Sequence, residues 1–461
     1  MKTQLDWSAY AHYGEGDAYA DIPAQGGDFA RAVAVCIGNR QCQRNERGVM
    51  CPSFRVTGEA LHSTRERIVA LKAVLNGAHV DFTDPRLWAA LELCVACKGC
   101  KRECPNGVDM AALRIEALAQ RHVLRGTPWR TRLFARLPRL LHRVPVLRQG
   151  LVLRNRLGVL RALGERWPGI AAQRDLPVPV PVPFHPPLEG TGPEGAREVV
   201  LWVDTWTRYF EPRIAEAALG VLRAGGYRVL WVEAAADDAE PTRPVCCGRA
   251  YLSAGLVDEA RHEAQRVLAA LMPHVEAGRP IIGLEPSCLL SLRDEYRQLG
   301  LGEAVPRLAK AAVLFEEFLA AEQTAGRLKL PFKPMTGRTV HVHGHCHQKA
   351  FGAMKALRKT LGLVPGLSVD LIEASCCGMA GSFGYEAEHH ALSLDMAEQA
   401  LLPAVRATPE TDTVLADGFS CRHQIRDGSG REARHVAELL FEALVPLSDP
   451  VAHEENIHAT S

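Results

Sequence analysis

The segment Cys94-Val95-Ala96-Cys97-Lys98-Gly99-Cys100-Lys101-Arg102-Glu103-Cys104-Pro105 decides what kind of protein this chain can be. Its cysteines follow the pattern CxxCxxCxxxCP. Two-residue gaps let three thiolates reach from one tight loop to one metal cluster, while the fourth cysteine, followed by proline, turns away toward another site. Upstream, Cys36, Cys42 and Cys51-Pro52 form a looser partner motif. By the same crossing logic Cys51 completes a 4Fe-4S cluster with Cys94, Cys97 and Cys100, leaving Cys36, Cys42 and Cys104 for a second site. These ligands are one short of two full sets, so the second site is open to a 3Fe-4S cluster, to a 4Fe-4S cluster with a non-cysteine ligand, or to nothing. The competing reading is structural zinc, because CxxC also occurs in zinc knuckles. A third cysteine at the same interval and a fourth before proline speak for iron and sulfide.

The rest of the composition sets the frame. At 461 residues the chain has room for several domains, and 47% hydrophobic with 23% charged residues is globular composition. A net charge of +1 exerts no global pull on nucleic acid, which is not expected as a partner. The first residues carry neither an apolar core nor an Arg-rich amphipathic pattern, and no apolar run approaches the roughly 20 residues of a membrane span, so a cytoplasmic protein is expected. Fourteen cysteines in tight clusters within so large a chain then mean metal rather than disulfides.

Helical stretches are expected at 63–75 and 86–93 within a cysteine-rich domain spanning 28–120, after an N-terminal extension at 1–27. Residues 121–164 hold eleven arginines, from Arg121 to Arg161, and no acid. They read as basic amphipathic helices interrupted at Pro138 and Pro145, in a segment taken as 121–175. This stretch is either a solvated face or a docking surface for a protein partner or for anionic lipid, a peripheral membrane contact. A proline-rich run, LPVPVPVPFHPP, marks a stiff, extended linker at 176–195.

Beyond it a strand, helix, strand pattern occurs twice, over 196–335 and 336–446, ahead of a tail at 447–461. The first copy opens with strand 198–204, helix 213–222 and strand 227–232. The second opens with strand 339–344 and a helix near 349–361. CCGRAYLSAG at 246–255 stands against CCGMAGSFGY at 376–385, and EPSCLLSLRDE against DGFSCRHQIRDG, which marks an internal duplication of parallel α/β units. Ligands in such sheets gather at the carboxyl ends of the strands. Cys346, Cys376, Cys377 and Cys421 each follow an apolar run, so the four could meet at one edge and hold a metal. His343, His345 and His347 flank Cys346 and are read first as hydrogen-bonded loop histidines. In the first copy Thr205 stands where the second has Cys346, leaving Cys246, Cys247 and Cys288, and that copy reads as degenerate.

Taken together, the MCPS arrangement at 50–53, LCVACKGCKRECPNGVDM at 93–110, DTWTRYFEP, VCCGRAYLSAGLVDEAR, EPSC, HGHCHQKAFG, SCCGMAGSFGYE and ADGFSCRHQI resemble a known family. It comprises the iron-sulfur subunits of glycolate oxidase and anaerobic glycerol-3-phosphate dehydrogenase, the CCG subunit of heterodisulfide reductase, and, most nearly, the C-terminal half of FAD-linked D-2-hydroxyacid dehydrogenases of the D-lactate and D-2-hydroxyglutarate type. The resemblance implies a mostly α-helical ferredoxin-type two-cluster domain followed by two tandem α/β CCG domains with parallel sheets. It also implies an electron-transfer role. Electrons would come from FAD on a partner dehydrogenase subunit, since no segment of FAD-domain length precedes Cys36, and pass to a quinone, a cytochrome or an electron-transferring flavoprotein. One departure matters: heterodisulfide reductases pair CCG with a later CxxC, but three residues before Cys421 stands Gly418, and before Cys288, Glu285. That weakens the alternative of a thiol-disulfide oxidoreductase.

Overall fold

The computed structural model describes residues 1–44, 48–144, 146–187 and 190–445. A mostly helical region is followed by two regions built on parallel β-sheets. Its helices begin where short polar side chains can cap them. Ser63 accepts from Glu66 N at the start of Thr64–Leu75, Asp84 accepts from Arg86 N ahead of Pro85–Leu91, and Asp109 accepts from Ala112 N at the head of Met110–Arg125. The N-terminal extension is packed in. Leu5 and Trp7 are buried, and the carboxylate of buried Glu116 accepts from Gln4 N, Leu5 N and Trp7 Nε1 at 2.8–3.1 Å.

The first sheet contains β1 (Glu198–Trp202), β2 (Arg228–Trp231), β3 (Ile281–Gly283) and β4 (Ala312–Leu314). The second contains β5 (Thr339–Val342), β6 (Ser368–Leu371), β7 (Thr413–Leu415) and β8 (Ala433–Arg434). Both are parallel throughout, in the orders β2-β1-β3-β4 and β6-β5-β7-β8, so the repeat extends to topology. Side chains alternate faces along β1. Val200 and Trp202 join a core continuous with Phe29, Leu71 and Leu113 of the helical region, while Val199 and Leu201 join one shared with Val340 and Val342 of the second sheet. The first sheet is thus the middle layer of the molecule. The helices between the two sheets pair reciprocally: Pro212–Ala224 packs on Val436–Ala443 and Phe315–Thr324 on Met354–Leu361, an approximate two-fold relation between the copies.

The arginine-rich stretch forms four short helices, Trp129–Ala135, Leu137–Arg143, Leu147–Arg156 and Gly158–Arg166. Pro138 sits in the first turn of its helix, where its missing N–H is tolerated, so the break comes just before it; Pro145 and the tail at 447–461 lie outside the described residues. Several arginines expected to face solvent or a partner are used within the chain. Arg139 and Arg143 reach Glu240, Arg130 reaches Glu388, and Arg154 donates to the Ala171 and Arg174 carbonyls. The proline-rich run is extended but does not hold two domains apart. Val180 N and Phe184 N donate to the Tyr209 and Arg208 carbonyls at 2.8 and 2.9 Å, Phe184 is buried, and Thr191 bridges to Val229. Pro179 and Phe184 are the buried members of the run, whereas Val182 stays exposed. Among the described residues no helix is long and apolar enough to cross a membrane.

Candidate metal centres and the cleft between them

Cys51, Cys94, Cys97 and Cys100 are all buried and line one small cavity. The two segments that bring them together are laced tightly. Glu103 accepts from Val49 N and Met50 N at 2.6 and 2.7 Å, and a Cβ on Gly99 would lie 2.9 Å from Met50 N, so only glycine permits this approach. Cys51, Ala96 and Lys98 hold left-handed φ of 50°, 48° and 60°, costly for residues with a Cβ and sustained by the surrounding packing. Burial, then the nearby Cys346 and Cys100, push the Cys97 thiol well up; burial, then Asp109, does the same for Cys100. A hydrogen bond with Cys42, with burial behind it, raises Cys51. Thiolates crowded into such a cavity need a cation to hold their charge, and an all-sulfur donor set suits an iron-sulfur cluster or zinc.

Cys36, Cys42 and Cys104 gather beside this cavity. Cys42, lowered to about 7, is favoured as thiolate by the hydrogen bond from Cys51; burial opposes this, and Arg65 N, donating at 3.3 Å, assists it. Cys36 is raised by burial and, more weakly, by Cys104, and Asn39 Nδ2 donates to Asn106 Oδ1 at 3.2 Å, tying their two loops. Cys36 and Cys104 are half-buried.

In the second sheet region the loops following β5, β6 and β7 bring Cys346, Cys376, Cys377 and Cys421 into a continuous chain of thiol contacts, Cys346 to Cys376, Cys376 to Cys377 and Cys377 to Cys421. The first region repeats this chain with one exchange: the Thr205 hydroxyl contacts Cys246, Cys246 contacts Cys247, and Cys247 Sγ lies 3.2 Å from Cys288 Sγ. Thr205 therefore takes the place of Cys346. Gly418, where a CxxC would carry cysteine, is filled from outside: a Cβ there would lie 2.4 Å from His345 Cδ2 and 3.3 Å from Cys421 Sγ. At the equivalent position Glu285 accepts from Ser287 Oγ at 2.8 Å and from Phe419 N of the other copy at 2.8 Å.

The three histidines have separate fates. His345 Nδ1 accepts from His347 N, capping the helix Cys346–Ala350. His347 Nε2 lies 3.2 Å from the Ala96 carbonyl and 3.3 Å from Arg249 Nη2, so the first cysteine loop, the first CCG helix and the second CCG region meet at this ring. His343 is buried with both ring nitrogens unpartnered.

Cys246, Cys247 and Cys288 of the first set and Cys346, Cys376 and Cys377 of the second line one cleft of about 800 Å³, whereas Cys421 does not line it. Cys94, Val95 and Ala96 line this cleft and the first cavity alike, so three residues of backbone separate them. Its other wall is the arginine-rich helices. Sequence reasoning missed the buried charge network behind the loop. Lys98, with no side-chain exposure, lies 3.1 Å from Asp109, 2.8 Å from Asp294 and 3.5 Å from Glu295, while Lys101 reaches Asp109 and Asp294, and Arg249 pairs with Glu295. The one available signal was the charge beside the cysteines, in CKGCKREC and SLRDE.

Comparisons with known proteins agree with this arrangement at a coarse level. Residues 32–108 match the family model of the 4Fe-4S dicluster domain. The chain is 25% identical to the D-2-hydroxyglutarate dehydrogenase of Escherichia coli (strain K12) over 476 residues, covering 90% of this chain and 44% of the relative. It is 27% identical to the probable glycolate oxidase iron-sulfur subunit of Bacillus subtilis (strain 168) over 431 residues, covering 85% and 91%. It is 24% identical to the glycolate oxidase iron-sulfur subunit of Escherichia coli (strain K12) over 418 residues, covering 86% and 91%. The resemblance to these proteins is distant but broad, and the chain spans less than half the length of the D-2-hydroxyglutarate dehydrogenase it matches.

Proposed function

We propose that this chain is the iron-sulfur electron-transfer part of an FAD-dependent D-2-hydroxyacid dehydrogenase, of the D-lactate, glycolate or D-2-hydroxyglutarate type, taking electrons from a partner flavin and delivering them to a downstream acceptor. Cys51, Cys94, Cys97 and Cys100 would hold the main 4Fe-4S cluster and Cys36, Cys42 and Cys104 a second, smaller or incompletely thiolate-bound one. Cys346, Cys376, Cys377 and Cys421 would hold a further metal or cluster. When bound, such clusters accept and release one electron at a time. The protein's part is to bury the thiols, keep water out and set short distances between centres. The division into a ferredoxin-type domain at 28–120 and CCG domains at 196–335 and 336–446 belongs to the same reading.

The observation that carries it is the shared wall Cys94-Val95-Ala96. Four buried thiols converge on one side and the CCG thiols face the other, which is the geometry of a relay. The test is an anaerobic preparation assayed for iron and inorganic sulfide and examined by EPR after reduction. Cys94→Ser should abolish the main reduced-state signal, while Cys421→Ser leaves it in place. A colourless protein containing zinc alone would overturn the reading.

A further inference from the structure

We propose that the outer face of the arginine-rich helices lies on an anionic bilayer surface; the proposal goes beyond the electron-transfer reading and does not depend on any cluster. The helices Leu147–Arg156 and Gly158–Arg166 contain no buried residue, although they are built largely of Leu, Val and Arg. Their inner sides are already engaged. Leu147 and Leu151 line the cleft, Asn155 Nδ2 donates to the Leu176 carbonyl at 2.8 Å, and Arg161 Nη1 donates to the Ala172 carbonyl at 3.2 Å. The outer sides carry apolar side chains at helical spacing. Leu153 and Leu157 stand one turn apart with Arg156 beside them, and Val159, Leu163 and Trp167 repeat that interval with Arg166; all are exposed, Trp167 by 85%. The helix Trp129–Ala135 adds exposed Trp129 and Leu133 with Arg132, and the Trp129 ring lies 6.1 Å from that of Trp167, so two of the stripes meet. Single exposed apolar side chains are ordinary, but joined stripes on successive helices mark a contact surface.

The charge on this face has one sign. Residues 121–164 hold no acid, and the acids bordering them are engaged: Arg130 holds Glu388, Arg161 holds Asp175, and Glu165 accepts from Ala172 N at 3.3 Å. Arg132, Arg136, Arg156 and Arg166 are exposed and have no carboxylate partner among the described residues. A bilayer with anionic headgroups answers both halves of the pattern. Phosphates take the guanidinium groups, whose long stems let them reach outward, while Leu, Val and indole rings settle at the boundary with the acyl chains. Nucleic acid would answer the arginines but leave the apolar stripes wet. Apart from guanidinium and indole N–H groups, the side chains named on the stripes carry no polar atom that would fix the register of a folded partner, which a fluid bilayer does not require.

The test uses the full chain, prepared anaerobically, in sedimentation with vesicles of phosphatidylcholine mixed with phosphatidylglycerol and with vesicles of phosphatidylcholine alone. Binding to the mixed vesicles is expected, weakened by salt, with little binding to the neutral ones. Brominated acyl chains should quench part of the tryptophan emission, and Trp167→Phe should reduce that quenching. Replacing Arg156 and Arg166 together by Gln should weaken binding about 25-fold, on the basis of about fivefold for each cation near an anionic surface, and Leu163→Glu should weaken it about tenfold or more. All these positions are exposed, so denaturant midpoints and any EPR signals should match the parent. No binding to mixed vesicles, equal binding to both kinds, or undiminished binding by the Arg and Leu variants would overturn the proposal. So would variants that keep vesicle binding but release a co-purifying flavoprotein, which would assign the face to a protein partner. Absence of iron would strike the electron-transfer reading and leave this one standing.

Discussion

Replacing Lys98 by methionine removes one cation from a buried set that is otherwise balanced. Lys98, Lys101 and Arg249 face Asp109, Asp294 and Glu295, three charges of each sign, and Lys98 itself has no exposed side-chain surface. After the substitution Lys101 still serves Asp109 and Asp294, and Arg249 still serves Glu295, so the deficit is one uncompensated buried carboxylate. Breaking a buried pair in this way costs about 3–5 kcal/mol. Lys101→Met leaves the same one-cation deficit, but Lys101 is 36% exposed, so water reaches the gap it vacates and the cost should be smaller, about 1–2 kcal/mol. The assay is guanidinium unfolding of the two variants beside the parent at neutral pH, read by midpoint, with iron content measured in parallel. Because the orphaned carboxylate can take up a proton, the Lys98→Met deficit should shrink as the pH is lowered toward 5. Equal midpoints for the two variants would refute the view that burial sets the strength of this network.

Gly418→Ala would drive a methyl group into the His345 ring, 2.4 Å away before relaxation, and should cost about 1–3 kcal/mol in thermal or denaturant unfolding; an unchanged midpoint would mean that the ring moves freely. Glu240 anchors the arginine-rich helices. Burial raises its pKa, but hydrogen bonds from Arg139 and Arg243 outweigh this and hold it at about 2, below its ordinary 4.5. A depressed carboxylate stabilises the fold above its unfolded pKa, and that contribution is lost as the pH falls from about 4.5 toward 2. Hydrogen exchange should show the helix Leu137–Arg143 losing protection in that window before the two sheets do, and simultaneous loss would contradict the anchoring role.

The features legible in the sequence were those set by short spacing or by repetition. The CxxCxxC gaps and the cysteine before Pro105 lie on one loop, so their convergence follows from local geometry. The paired CCG motifs announced a duplication whose strand orders match, and Thr205 could be aligned with Cys346 because the repeat supplied an internal reference. What stayed hidden depends on partners far away in sequence. The arginines of 121–164 looked free because Glu240 and Glu388 are about a hundred or more residues distant, and the prolines of 177–183 looked like a spacer because nothing local shows that Tyr209 and Arg208 offer carbonyls to the run. The cleft was illegible for the same reason: it is assembled from segments spread between Glu92 and Ser420.

The continuous core joining Phe29, Leu71 and Leu113 to Val200 and Trp202 bears on any attempt at modular transplantation. A graft of residues 28–120 alone would lift the cysteine loops out with half of their supporting interior, leaving apolar surface bare and Lys98 without Asp294 and Glu295. The second core binds the first sheet to the second in the same way, so a cut after β4 bares apolar surface as well, and chimeras cut anywhere between the cysteine loops and the end of the second sheet should be recovered as aggregates.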